Sequence, residues 1–198
     1  NDTVDTSTVT LANSVANEGA NITINASVDR APQGSDLVLT LNNGEQITIA
    51  AGATTGSVTF ANPNGEDVYV DGETLVYSVA ASSGGNYESL DTSSTSTVVV
   101  SDTIDSSTVS LDSPTVAEGE AITLTATVDN APRTSDLVLT LSNGEEITIA
   151  VGQTTGSVTF ANPNGDDVYV DGGTQSYSIT GSAGGDYEAL DTSATSTV

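Results

Sequence analysis

Oxygen is the only metal-binding chemistry this sequence offers. Asp and Glu number 27 in 198 residues, against 2 Lys plus Arg, with no His, Cys or Met. Most of these acids sit in turn-like stretches rich in Asn and Gly, among them Glu18 in Asn-Glu-Gly-Ala and Asp67 and Asp71 in Glu-Asp-Val-Tyr-Val-Asp-Gly. Others occupy Asp102-Thr-Ile-Asp105 and the Val-Asp-x-Ala-Pro segment that holds Asp129. Like charges gathered within a few ångströms repel strongly, and a hard divalent cation relieves that repulsion. Calcium takes 6 to 8 oxygen ligands from carboxylates, carboxamides and carbonyls, whereas magnesium keeps much of its water shell. Glu18, Asp67, Asp71, Asp102, Asp105 and Asp129 are therefore expected to ligate Ca2+. Their copies and neighbours Asp2, Asp5, Asp29, Asp36, Asp136, Glu118, Asp167 and Asp171 complete the candidate set. Asn62, Asn64 and Glu66, with side-chain oxygens at alternate positions, form a separate candidate loop site. It lacks the Gly and Glu of an EF-hand loop.

The same composition excludes much else. A net charge of −25, with Arg30 and Arg133 as the only basic side chains, leaves no means of displacing counterions from phosphates, so no nucleic acid is expected as partner. Without His or Cys there is no Ser-His-Asp triad, thiolate nucleophile, thiolate or imidazole metal site, or disulfide. Paired carboxylates could hydrolyse glycosides. The duplication described next, the small domains and the scarcity of aromatic and basic substrate-binding groups argue against an enzyme. No apolar run approaches the roughly 20 residues that span a bilayer, and Asn1-Asp2-Thr3 starts no signal peptide. Any export signal or anchor is expected outside this segment, and no membrane contact by it is expected.

The elements that must position these acids follow from a repeat. At an offset of 100 residues, 65 of the 98 pairs are identical without a gap, and Thr54 to Val68 returns as Thr154 to Val168 with only Glu66 changed, to Asp166. A period of 100 is the size of an independent domain, too long for a solenoid unit. Two domains, 1–100 and 101–198, are expected end to end. Within each, hydrophobic residues alternate with period 2, giving strands at Thr8 to Leu11, Ile22 to Val28, Leu37 to Leu41, Gln46 to Ala50, Gly56 to Ala61, Thr74 to Ala81 and Ser94 to Val100. Asn43-Gly44 and Asn143-Gly144 mark hairpins. Seven short strands and Gly-rich turns predict an all-β chain of two tandem immunoglobulin-like Greek-key β-sandwiches, lacking the Cys and Trp of antibody domains.

Successive loops of such a sandwich alternate between its ends. The first, third and fifth share the end where the last strand exits, which would gather Glu18, then Asn43 and Glu45, then Asn62 to Asp71, beside the run into Asp102 and Asp105. The opposite end of the next copy would present Asp129 and Asp136, with Asp186, Glu188 and Asp191 nearby. Carboxylates would converge on the junction from several loops.

The Asp-Thr-x-Asp linker, Val28 to Pro32 and Val128 to Pro132, Asp-Val-Tyr-Val-Asp-Gly and Gly-Gly-x-Tyr-Glu-x-Leu-Asp-Thr together resemble the extender repeats of giant bacterial RTX adhesins of the LapA biofilm type. The resemblance covers essentially the whole chain. It implies calcium-bound junctions and a rod that projects a distal ligand-binding region, itself outside this segment, from the bacterial cell surface. The partners implied are neighbouring repeats in the same chain. A different reading is a carbohydrate- or surface-ligand-binding sandwich, for which Tyr87 and Tyr187 are the only stacking candidates.

Overall fold

Alternation decides the architecture. Ile22, Ile24, Ala26 and Val28 point one way along their strand and are at most 4 % exposed, while the Thr, Asn and Ser between them face solvent. The computed structural model describes residues 3–170 and 172–198. It forms two compact units, Asn1–Asp67 with Asp71–Thr103, and Val68–Val70 with Ile104–Val198. Both are immunoglobulin-like β-sandwiches, and no helix occurs among the described residues.

In the first unit the strands are β1 (Thr6–Leu11), β2 (Ser14–Asn17), β3 (Ile22–Val28), β4 (Leu37–Leu41), β5 (Gln46–Ile49), β6 (Thr55–Phe60), β7 (Glu73–Gly84), β8 (Ser89–Asp91) and β9 (Thr95–Ser101). One sheet runs β6-β3-β1-β8 and the other β2-β9-β7-β4-β5. Two of these strands, β2 and β8, are absent from the seven expected. Both are short, and both pair in parallel, β8 with β1 and β2 with β9. At three and four residues they carry too little alternation to stand out. They exist because the chain switches sheets after β1 and before β9, which leaves each stub beside an exposed edge. Strand β7 also runs past the expected Ala81 to Gly84, with a register shift opposite Thr40 and Leu41.

The second unit repeats the plan with β10 (Ser106–Leu111), β11 (Ile122–Val128), β12 (Leu137–Leu141), β13 (Glu146–Ile149), β14 (Thr155–Phe160), β15 (Ser176–Ala183), β16 (Ala189–Asp191) and β17 (Thr195–Thr197). Its sheets are β14-β11-β10-β16 and β13-β12-β15-β17.

The cores are aliphatic. Leu37, Leu39, Leu41, Ile47 and Ile49 are each no more than 1 % exposed, as are their counterparts from Leu137 to Ile149. Each such side chain stabilises the fold by about 1.5–3 kcal/mol. Aromatics fill one corner, where Phe60 meets Tyr77 edge-on at 5.3 Å and Phe160 meets Tyr177 at 5.2 Å.

Two glycine positions fix how the strands close. The β4–β5 hairpin turns through Asn42-Asn43-Gly44, with Gly44 at φ 90° and its N–H donating to Leu41 O at 2.9 Å. This is the three-residue loop that needs a left-handed residue at its end. At Gly56 an added Cβ would lie 2.4 Å from Thr48 O, and at Gly156 2.2 Å from Thr148 O. Only a missing side chain lets β6 pass this close to the β5 backbone.

Candidate metal centre

The acid-rich end of the first unit is built on backbone. Past β2 the chain turns at Asn17 to Gly19, where Glu18 N donates to Ser101 O at 3.0 Å and Gly19 N to Asn64 O at 2.9 Å. These two bonds tie the Glu18 turn to the exit of β9 and to the long loop after β6. The loop is braced in turn by carboxamides. Asn62 Nδ2 donates to Asn17 O at 3.1 Å, Asn62 Oδ1 accepts from Asn64 N at 3.1 Å, and Asn64 Nδ2 donates to Asp71 O at 3.2 Å. Asn62 and Asn64, a candidate site of their own in the sequence, thus act as braces for the neighbouring carboxylates.

Into this frame projects Glu18, only 2 % exposed. Its Oε1 accepts from Thr103 N at 2.7 Å. Its Oε2 is buried with no hydrogen-bond partner, and the same holds for Asp102 Oδ1. Carboxylate oxygens of Glu18, Asp67 and Asp71 lie within 4.8 Å of one another, and an Asp102 oxygen lies within that distance of Glu18. Gly72 makes room for this approach, since a Cβ there would sit 3.1 Å from Asp102 Oδ1. Thr103 also donates its hydroxyl to Glu66.

A buried carboxylate oxygen without a donor is costly, because desolvation of a charge is repaid only by a counter-charge or hydrogen bonds. Neither guanidinium supplies it: Arg30 lies 3.4 Å from Asp5, and Arg133 sits over the Tyr69 ring at 4.3 Å. An all-oxygen set with two orphaned buried atoms fits a hard divalent ion. Glu18, Asp67 and Asp71 would hold it, with Asp102 close to Glu18 alone.

The other expected ligands stand apart from this group. Asp29 accepts from Ser7 Oγ and, at 2.9 Å, from Thr8 N. Asp129 accepts from Ser107 Oγ at 2.6 Å and Thr108 N at 2.9 Å. The serine hydroxyl first, and then the threonine N–H, hold both carboxyls below the usual aspartate value. Asp36 accepts from Ala51 N and Asp136 from Val151 N, each at 2.8 Å, pinning the turn after β5 and β13. Asp5 and Asp105 are exposed, and their backbone N–H groups donate to Glu88 at 2.8 Å and Glu188 at 2.7 Å. In the second unit Glu118 is half-buried at the rim of a cavity of about 490 Å³, and exposed Asp167 accepts from Tyr169 N at 2.7 Å. Asp2 and Asp171 lie outside the described residues. The Asn43–Gly44 hairpin falls short of the site. It lies opposite Val76 and Ser78, well along β7, because β4 is too short to reach the Glu73 end.

Thr103 was not among the expected residues. The signal for it was the Asp-Thr pair at 2–3 and 102–103, which places a hydroxyl and an N–H beside an acid. Tyr87 and Tyr187 prove to be loop anchors: their hydroxyls donate to Arg30 O at 2.7 Å and Asn130 O at 2.5 Å, and their rings pack against the cores.

Among solved structures, the fibronectin(III)-like modules of CbhA from Clostridium thermocellum align with a TM-score of 0.31 at 19 % identity, covering 96 % of this chain and 92 % of that one. The I9-I11 tandem from titin aligns with a TM-score of 0.28 at 12 % identity, covering 96 % of this chain and 64 % of that one. No curated protein matches the sequence. The LapA domain matches twice, at residues 5–103 and 105–198. With both sandwiches accounted for, the chain belongs to the LapA domain family and carries two copies of that domain.

Proposed function

We propose that this chain is a non-enzymatic extender segment of a large bacterial surface adhesin, stiffened by calcium and projecting a distal ligand-binding region from the cell. Membership of the LapA domain family supports the adhesin role and the cell-surface setting. The observation that carries the calcium reading is Glu18, 2 % exposed with an orphaned Oε2 among the carboxylates of Asp67 and Asp71. A bound ion would tie the β2 turn, the loop after β6 and the linker residue Asp102 into one body. That removes the freedom of the segment where the chain leaves the sandwich.

Extracellular calcium modules bind at about 10⁻⁴ to 10⁻³ M, so the site would fill after export and stay empty in the cytosol. At 10 mM calcium and a dissociation constant of about 10⁻⁴ M, binding adds about 2.7 kcal/mol. For a domain of this size that raises the melting temperature by on the order of 10 °C. Thermal unfolding in 10 mM calcium against excess chelator measures it. The shift should shrink markedly in Glu18→Gln combined with Asp102→Asn. An unmoved wild-type transition would sink the calcium reading.

A further inference from the structure

The tripeptide Asn-Gly-Glu occurs at residues 43–45, 64–66 and 143–145, identical in sequence and different in what the fold does with it. A further Asn-Gly pair, at 164–165, is followed by Asp166 and so is not matched to these. In an Asn-Gly pair the glycine nitrogen can attack the preceding carboxamide, because glycine puts no Cβ in the way. The attack closes a cyclic imide and expels ammonia. It requires a glycine N–H that is not committed to an acceptor and a peptide plane able to turn toward the Asn Cγ.

Both hairpins withhold that N–H. Gly44 N donates to Leu41 O and Gly144 N to Leu141 O, each at 2.9 Å, which fixes the peptide plane. Asn43 Oδ1 accepts from Glu45 N and Asn143 Oδ1 from Glu145 N, both at 3.1 Å, which fixes the carboxamide as well. At Asn64 the attacking side is open. Gly65 is exposed, and among the described residues its N–H meets no acceptor. A Cβ built there would touch nothing within 4 Å, so its surroundings leave it room to move. The Asn64 carboxamide is held through its leaving nitrogen, Nδ2, which donates to Asp71 O at 3.2 Å, the long end of the usual range.

We propose that Asn64 is a self-modification site, its carboxamide converting to aspartate and isoaspartate while Asn43 and Asn143 persist. Gly65 N bonds to Asn64 Cγ as the Cγ–Nδ2 bond breaks, and the proton lost from Gly65 N departs on ammonia. Water then opens the imide. Addition at Cγ gives aspartate at position 64; addition at the backbone carbonyl gives isoaspartate, with the main chain rerouted through Cγ. Either product replaces the donor to Asp71 O with an anion. Isoaspartate also turns the carbonyl that accepts from Gly19 N into a side-branch carboxylate, so the tie from the Glu18 turn no longer meets the main chain of the loop after β6. The acid-rich end therefore ages where the hairpins do not, and the chemistry needs no metal.

The test holds the full chain folded at mildly alkaline pH in excess chelator and follows the three sites by peptide mapping with mass spectrometry. Conversion at Asn64 should be about fivefold faster than at Asn43 or Asn143, the factor that corresponds to a hydrogen bond of about 1 kcal/mol on each hairpin glycine. In denaturant the three rates should converge, since the tripeptides are the same. Gly65→Ala should largely abolish conversion at Asn64 and leave the hairpins unchanged. Asn43 is exposed and Asn64 half-buried, so exposure alone favours the opposite order. Equal rates in the folded chain, or faster conversion at the hairpins, would overturn the proposal. An unslowed Gly65→Ala chain would overturn it too, since water would then be attacking the carboxamide directly. With chelator present throughout, none of these outcomes depends on whether calcium binds.

Discussion

The two copies share 65 of 98 aligned residues, and where they differ in structure is more instructive than where they agree. Their cores are the same, side chain for side chain, from Leu37 to Ile49 and from Leu137 to Ile149. Their acid-rich ends are not. In the first copy Val98–Ser101 pairs with Ser14–Asn17 on one side and Glu73–Leu75 on the other, and Glu18 is buried against Thr103. In the second copy residues 114–117 form no strand, β15 starts only at Ser176, and a cavity of about 490 Å³ is lined by Glu118, Gln175 and Val198. Pro114 removes one donor, but Thr115, Val116 and Ala117 keep theirs. The hydrophobic core is therefore specified by the repeat itself. The acid-rich end is less strictly specified, since it takes a different form in each copy.

The part the copies share can be broken equally in both. Gly56→Ala and Gly156→Ala each place a Cβ against a backbone oxygen at 2.4 and 2.2 Å, which no rotamer change relieves. Each should destabilise its own unit by about 3 kcal/mol, the upper end of ordinary overpacking. Hydrogen exchange read separately at buried amides of β3 and β11 checks this. Clearly unequal losses would show that the strand crossing differs between the copies.

The sandwich class, the duplication and the hairpins at Asn43 and Asn143 were legible because alternation and turn residues are local signals. Strands β2 and β8 were not, since three or four residues carry no period and their pairing depends on a distant edge. At the acid-rich end, the gathering of Glu18, Asp67 and Asp71, and the approach of Asp102 to Glu18, were legible from loop order. The same argument enrolled Asp29, Asp36, Asp129 and Asp136, whose carboxylates the structure shows accepting nearby N–H groups. A turn aspartate that braces backbone and one that joins a cluster of carboxylates share a sequence pattern. The pairing of Val68 and Val70 with Glu188 and Asp186 was hidden for another reason: the partners lie more than 100 residues apart in sequence.

The smallest effect separates bracing carboxylates from gathered ones. Asp29 and Asp129 have pKa values lowered mainly by the hydroxyls of Ser7 and Ser107. A carboxyl depressed on folding adds stability that is complete above its unfolded value, near 3.8. That contribution is lost as pH falls through the lower folded value. Asp29→Asn and Asp129→Asn should therefore flatten the decline of melting temperature below pH 3.8, alike in both units, and leave the calcium shift at neutral pH intact. Melting curves from pH 2.5 to 7, with and without calcium, separate the outcomes. If Asp129→Asn abolished the calcium shift, the ion would draw a ligand from outside the Glu18 group. The division between brace and ligand would then have to be redrawn around Asp129.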